Sequence, residues 1–373
     1  MVSCTQQQNA EVDDIAKNEN NQKISTNKIS KINHKSTITI NTPSIDSGFI
    51  YRAKISRNIG DIVNVNIQDI DPIEGNIENE YPAAIISDLH FSPLPESPTK
   101  LIRIVFDNDI FDNTDYYYTN GVNIELIHPI AKFSPLSRTL IGTKNYDIDI
   151  YGFSIKQNIY TPTNPDIAEV SHGDRPFSAF LTIGQFRESY DMDRGFAIKS
   201  NLNLGVLGPA SMGDVVQSTI HDIEPIGWDN QINNNIIIDY KLEIEKSIYS
   251  NPNFEISAIA NGNIGTLFNK INAGIYVRAG SFTQLTRNGY FYGNKNKTNP
   301  FQYWFFVTGN TNLVFYDATL QGGMFSKNNQ YVISSSDINR IVFECSAGFA
   351  LYHTNFGIEL QNFYISPEFK NAF

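Results

Sequence analysis

Between Leu101 and Ile365 the chain alternates apolar and polar residues with a period of two. In the stretch 119–126 one face reads Thr119, Gly121, Asn123 and Glu125, and the other Asn120, Val122, Ile124 and Leu126. Ile238, Tyr240, Leu242 and Ile244 alternate with Asp239, Lys241, Glu243 and Glu245. The same holds for Ile271 to Gly280, for Ile341 to Leu351, which sets Cys345 among hydrophobes, and for Phe356 to Gln361. Strict alternation over eight or more residues predicts strands rather than helices. About twelve such strands are expected between Leu101 and Ile365, many long enough to cross a bilayer at a tilt. The chain before Leu101 has another texture. Residues 1–40 are Asn, Lys, Ser, Gln and Ile without a period, which predicts disorder. Residues 41–100 are an extension with no assignable structure, ending in the proline-rich Ser92-Pro93-Leu94-Pro95.

Two all-β architectures fit this pattern. A soluble β-sandwich buries its apolar face, whereas a transmembrane antiparallel β-barrel turns that face to lipid and keeps polar residues in its lumen. Strand length favours the barrel, as do the aromatics crowding the strand ends. These include Tyr116-Tyr117-Tyr118, Tyr290-Phe291-Tyr292, the run from Phe301 to Phe306, and the terminal Phe373. No run approaches the apolar length that a membrane helix needs. A formal net charge of −11 argues against a nucleic-acid partner. Two cysteines cannot build a disulfide framework or a thiolate metal site. Met1-Val2-Ser3-Cys4 leads straight into a polar run, without the apolar stretch of a secretory leader. A small residue before Cys4 resembles the end of a lipoprotein signal; an ordinary terminal cysteine fits equally well.

Two segments could carry chemistry. Residues 106–115 hold Asp107, Asn108, Asp109, Asp112, Asn113 and Asp115, a dense set of oxygen ligands suited to a hard cation such as Ca²⁺. They do not form an EF-hand loop, since Phe111 and Asp112 occupy a ligand position and the obligatory glycine. On spacing alone, a polar turn explains them more simply. In the second segment, from Leu207 to His221, the period of two breaks. Ser211 followed three residues later by Asp214 predicts a helix start with Ser211 as its cap. That helix would set Gln217 and His221 on one face. Ser211 is not a nucleophile elbow, because Pro209 stands where a glycine is required. A lone His221 is more often a surface imidazole, but an irregular insertion in an all-β pattern favours a site. The other histidines lack metal spacing, and His172 reads as structural within a turn.

Several stretches, in this order, resemble the outer-membrane lipid A 3′-O-deacylase family. They are Asn108-Asp109 with Phe111, Thr114-Asp115, the run from Tyr117 to Gly121, and that from Gln157 to Pro162. Next come Asp174-Arg175-Pro176-Phe177, the run from Gly208 to Gly213, Gln217, His221, and the run from Gly227 to Gln231. The resemblance covers the chain from about Leu101 onward. It departs at Phe177-Ser178-Ala179, where Tyr-Ala-Gly is usual, and in a shorter loop after His221. It implies a twelve-stranded barrel in the outer membrane of a Gram-negative bacterium, with a short helix bearing the catalytic His. It further implies Ca²⁺-dependent release of a 3′-linked acyloxyacyl group from the lipid A of lipopolysaccharide. Carried over, His221 matches the catalytic base, Gln217 and Thr119 supporting positions, and Asn108 and Asp109 the cation pair. The protein is expected to act as a monomer. The competing expectations are a catalytically silent barrel, pore or structural, and a soluble glycan-binding sandwich.

Overall fold

A computed structural model describes residues 49–58, 89–90, 101–108, 118, 120–144, 146–165, 169–191, 193–220, 226–282, 301–326, 328–353 and 356–370. The sequence expectations at residues 1–40, Asp109, Tyr116-Tyr117, Thr119, His221, Tyr290-Phe291-Tyr292 and Phe373 lie outside them.

The described strands are β1 (Phe49–Asn58), β2 (Leu89–His90), β3 (Leu101–Asn108), β4 (Asn120–Ile127), β5 (Ile148–Tyr160), β6 (Ser178–Asp191) and β7 (Phe196–Leu207). They continue with β8 (Asn235–Asn251), β9 (Phe254–Gly265), β10 (Phe268–Ser281), β11 (Phe301–Asp317), β12 (Ile341–His353) and β13 (Phe356–Ile365). From β3 to β13 each strand pairs with the next in an antiparallel meander. β1 then pairs with β13 along one edge and with β3 along the other, closing the ladder into an all-β barrel. The two-residue β2 adds a short pairing on β3. Among the described residues the stretch from Leu101 to Ile365 therefore supplies eleven strands, and the twelfth comes from the upstream extension. Among the described residues, β3 to β13 and β1 are each paired on both sides, the condition for crossing lipid with strands.

The alternation sorts cleanly. Ile104, Ile124, Ile155, Ile183, Leu204 and Ile238 pair in one continuous row across β3 to β8. Ile124, Ile155, Ile183, Leu204 and Ile238 in that row are exposed. On β11, Phe301, Tyr303, Phe305 and Val307 are exposed on the outside, while Gln302, Trp304, Phe306 and Thr308 are buried inside. Such an apolar exterior suits lipid and not water. No helix among the described residues is long and apolar enough to cross a membrane.

The lumen is polar, with a cavity of about 420 Å³ lined by residues such as Asn203, Lys241, Asn261 and Asn310. Four of its charges form one cluster. Arg103 lies 2.9 Å from Glu125 and 3.0 Å from Glu188, and Lys199 lies 3.1 and 3.0 Å from the same two carboxylates. Two cations thus share two buried anions, offsetting a desolvation cost that none could bear alone. An aromatic stack, Trp304 on Tyr352 at 4.8 Å, fills another part of the interior.

Arg103→Met would leave two buried carboxylates facing one lysine. It is expected to lower unfolding stability by roughly 3–5 kcal/mol, read as the urea midpoint of the vesicle-embedded barrel.

Candidate active site

Strand polarity gathers the connections after β3, β5, β7 and β11 at one rim, called upper here. The connection from β7 to β8 carries the short helix α1 (Gly213–Ile220). Its approach is tightly specified. Gly208 has φ +94°, a backbone state open to glycine at little cost, and Met212 takes the left-handed conformation at φ 58°. Between them, Pro209–Ser211 forms one 3₁₀ turn. Ser211 is buried, and its hydroxyl donates back to the Gly208 carbonyl at 2.6 Å. The expectation that Ser211 caps the helix is therefore corrected. Met212 intervenes before the first helical residue, and the Ser211 hydroxyl proton is spent inside the turn. Asp214 sits in the first turn of α1, where the helix dipole favours an anion.

α1 rests on the outer face of the wall and not in the lumen. On β5, Ser154, Lys156 and Asn158 line the lumen, so Ile155, Gln157 and Ile159 point outward. Gln157 Nε2 donates to the Ser211 carbonyl at 2.6 Å, fastening the helix approach to that face. Ile159, Phe177, Ala179 and Trp228 form a buried cluster against which Val216 of α1 packs. Phe177 and Trp228 meet at 5.0 Å between ring centres. The approach is so close that a Cβ at Gly213 would overlap the Ala179 methyl. Two of the three departures thus fall on the seat of the helix, Phe177 against Trp228 and Ala179 under Gly213, while Ser178 faces the other way and donates to the Thr319 carbonyl at 3.0 Å.

Gln217 is the one predicted site side chain within the described residues, and it is buried. Trp228 Nε1 donates to its Oε1 at 2.7 Å, which fixes the amide orientation. Its Nε2 finds no acceptor among the described residues, leaving a buried donor held against the wall. His221 directly follows the last helical residue, Ile220. Asn108 ends β3, and its backbone pairs with Asn120, which pairs with Ile159, which pairs with Ala179. Position 108 therefore shares a row with the wall beneath α1, two strands or about 10 Å from Ile159 by sheet spacing. Asp107, one residue earlier, belongs to the lumen and accepts from the Tyr118 hydroxyl at 3.0 Å. Among the described residues no three His, Cys, Asp or Glu side chains gather into a metal cluster.

Sequence reasoning gave no role to Trp228 or Arg175, although both stand in motifs shared with the family. Buried Arg175 donates to Glu368 at 2.5 Å and to Thr319 at 2.8 Å, and lies 4.2 Å over the Tyr160 ring. Burial opposes its charge, but Glu368 and Asp317 more than offset this and hold its pKa above the ordinary value. It ties the connection after β5 to α2 (Ala318–Gln321) and to the segment after β13. His172 meets Tyr331 edge-on at 5.2 Å, a packing contact.

Gly213→Val is expected to push α1 off the wall while leaving the barrel closed. Limited proteolysis should then cut between residues 209 and 230, with the heat-modifiable gel mobility of the barrel unchanged.

The family model described as Outer membrane protein LpxR matches residues 83–372. The solved structure of LpxR from Salmonella typhimurium is similar at 22% identity and a TM-score of 0.49, covering 67% of this chain and 89% of that one. No curated protein sequence matches the chain. With most of its length, including all strands from β3 to β13, inside the family match, this chain belongs to the LpxR family of outer membrane proteins.

Proposed function

We propose that this outer-membrane barrel is a lipid A esterase that releases the 3′-linked acyloxyacyl group of lipopolysaccharide. The observation that carries the reading is the seat of α1. A helix bearing Gln217, followed at once by His221, stands on the lipid-facing wall near a rim. An acyl ester embedded in a leaflet reaches such a place sideways, without leaving the membrane. Family membership and the motif resemblance support the reaction class.

In this reading His221 takes a proton from a water molecule as that water attacks the ester carbonyl, and the proton then goes to the departing sugar oxygen. The neutral imidazole is the form that can take that proton. Gln217 acts through its Nε2, the buried donor left over once Trp228 holds Oε1, to orient the water or the imidazole. Thr119 supports the same site. Asn108 and Asp109 offer amide and carboxylate oxygens, the donor chemistry that a hard cation prefers. Ca²⁺ bound there would supply Lewis-acid polarisation of the carbonyl. The alternative, a silent pore, sits less well with the buried Arg103–Glu125–Lys199–Glu188 cluster on the lumen side of β3 to β7.

Mass spectrometry of lipid A after incubation with the purified protein tests the proposal. The parent should remove one acyloxyacyl group, and His221→Ala should slow removal by about 10²–10⁴-fold. A chelator should abolish it and Ca²⁺ restore it. Undiminished deacylation by His221→Ala would overturn the assignment.

A further inference from the structure

Residues 128–147 join β4 to β5 at the lower rim, where β8 and β9 need only Pro252 and Asn253 between them. This longer connection folds back over the outside of the wall. It is built from two short 3₁₀ turns, Pro129–Phe133 and Pro135–Thr139. His128 Nδ1 caps the first by accepting from the Ile130 amide at 3.1 Å, and Ser134 caps the second through the Leu136 amide at 3.3 Å.

One side of the connection is fastened to the barrel. Gln185 Nε2 donates to the Ala131 carbonyl at 2.5 Å, and the Ser200 hydroxyl donates to the Ile141 carbonyl at 2.8 Å. The Tyr240 hydroxyl accepts from the Ile141 amide at 3.1 Å and donates to the Thr139 carbonyl at 3.0 Å. Gln185, Ser200 and Tyr240 occupy outward positions on β6, β7 and β8. They are polar where lipid would demand aliphatics because this connection covers them.

The other side is bare. Ile130 is 62% and Phe133 82% exposed, with Leu136 and Ile141 exposed beside them. Exposed Lys132 and Arg138 stand between these apolar groups and exposed Lys144 just beyond them, against a single acid in the connection, Asp147. In a chain of net charge −11 this is a local excess of cations. Large apolar side chains interleaved with lysine and arginine, laid on the wall of a membrane barrel, match the region where acyl chains meet anionic headgroups.

We infer that residues 128–144 form an interfacial anchor. Ile130 and Phe133 enter the apolar edge of the leaflet, and Lys132, Arg138 and Lys144 hold anionic phospholipid headgroups.

The test uses the full chain carrying Phe133→Trp, reconstituted in phosphatidylcholine vesicles with a minor fraction of phosphatidylglycerol; the parent's tryptophan emission is subtracted. Chain-brominated phosphatidylglycerol should quench the new emission about threefold more than the same amount of brominated phosphatidylcholine. Adding Lys132→Gln, Arg138→Gln and Lys144→Gln should remove that excess and leave the phosphatidylcholine level. Ile130→Trp provides a second reporter should Phe133→Trp fail to fold. Water-like emission unquenched by either lipid would overturn the inference. So would equal quenching by the two lipids, or an excess that survives loss of the three cations.

Discussion

The structure depends on closing a hydrogen-bonded ladder in a medium that offers no hydrogen bonds. A strand edge facing lipid would leave a row of N–H and C=O groups unsatisfied, at several kcal/mol per group. β1 meets that constraint by pairing with β13 from Tyr364 to Phe356 and with β3 from Asn108 to Leu101. Once the ring is closed, the pleat imposes the remaining rules. Every second residue must be aliphatic or aromatic outward, and every residue between must be accommodated inward. The row from Ile104 to Ile238 obeys the first rule, and the shared charges of Arg103, Lys199, Glu125 and Glu188 obey the second.

The same constraint decides where irregular backbone can go. It can sit at a rim, or it can return over the wall if the wall supplies partners. Both excursions here use an outward polar residue as that partner: Gln157 for the approach to α1 at the upper rim, and Gln185 for the connection 128–147 at the lower rim. Each glutamine interrupts an apolar face, and each donates to a carbonyl of the segment that covers it. Close approach then completes the upper seat, with Gly213 against Ala179 and Trp228 filling the corner. The result is a helix held on the membrane side of the barrel, with a buried amide nitrogen turned into the seat.

Much of this was legible in the sequence, for a physical reason. Lipid contact penalises any break in alternation, so the outward rows print themselves as a period of two. The insertion at 207–221 was visible because that period stops there. What could not be read was the source of the twelfth strand. Phe49, Tyr51, Ala53 and Ile55 do alternate with Ile50, Arg52, Lys54 and Ser56, yet a single ten-residue run in a mixed segment does not announce its partners. Ser211 misled for another reason. A Ser-x-x-Asp spacing is a capping box only if the helix begins one residue later, and Met212 in the left-handed state moves that start. Trp228 stands in the Gly227–Gln231 motif, but its tie to Gln217 spans eleven residues and depends on the fold of a loop.

The central claim is that α1 and its neighbourhood open to lipid and not to the lumen. Spin labels report this directly. With Cys4 and Cys345 replaced, single cysteines are placed for Val215 on α1, Ile183 on the wall and Asn261 in the lumen, and each label is exposed to oxygen and to a water-soluble nickel chelate in vesicles. The account predicts that labels at 215 and 183 relax faster with oxygen and the label at 261 faster with nickel. A label at 215 that follows the label at 261 would contradict it.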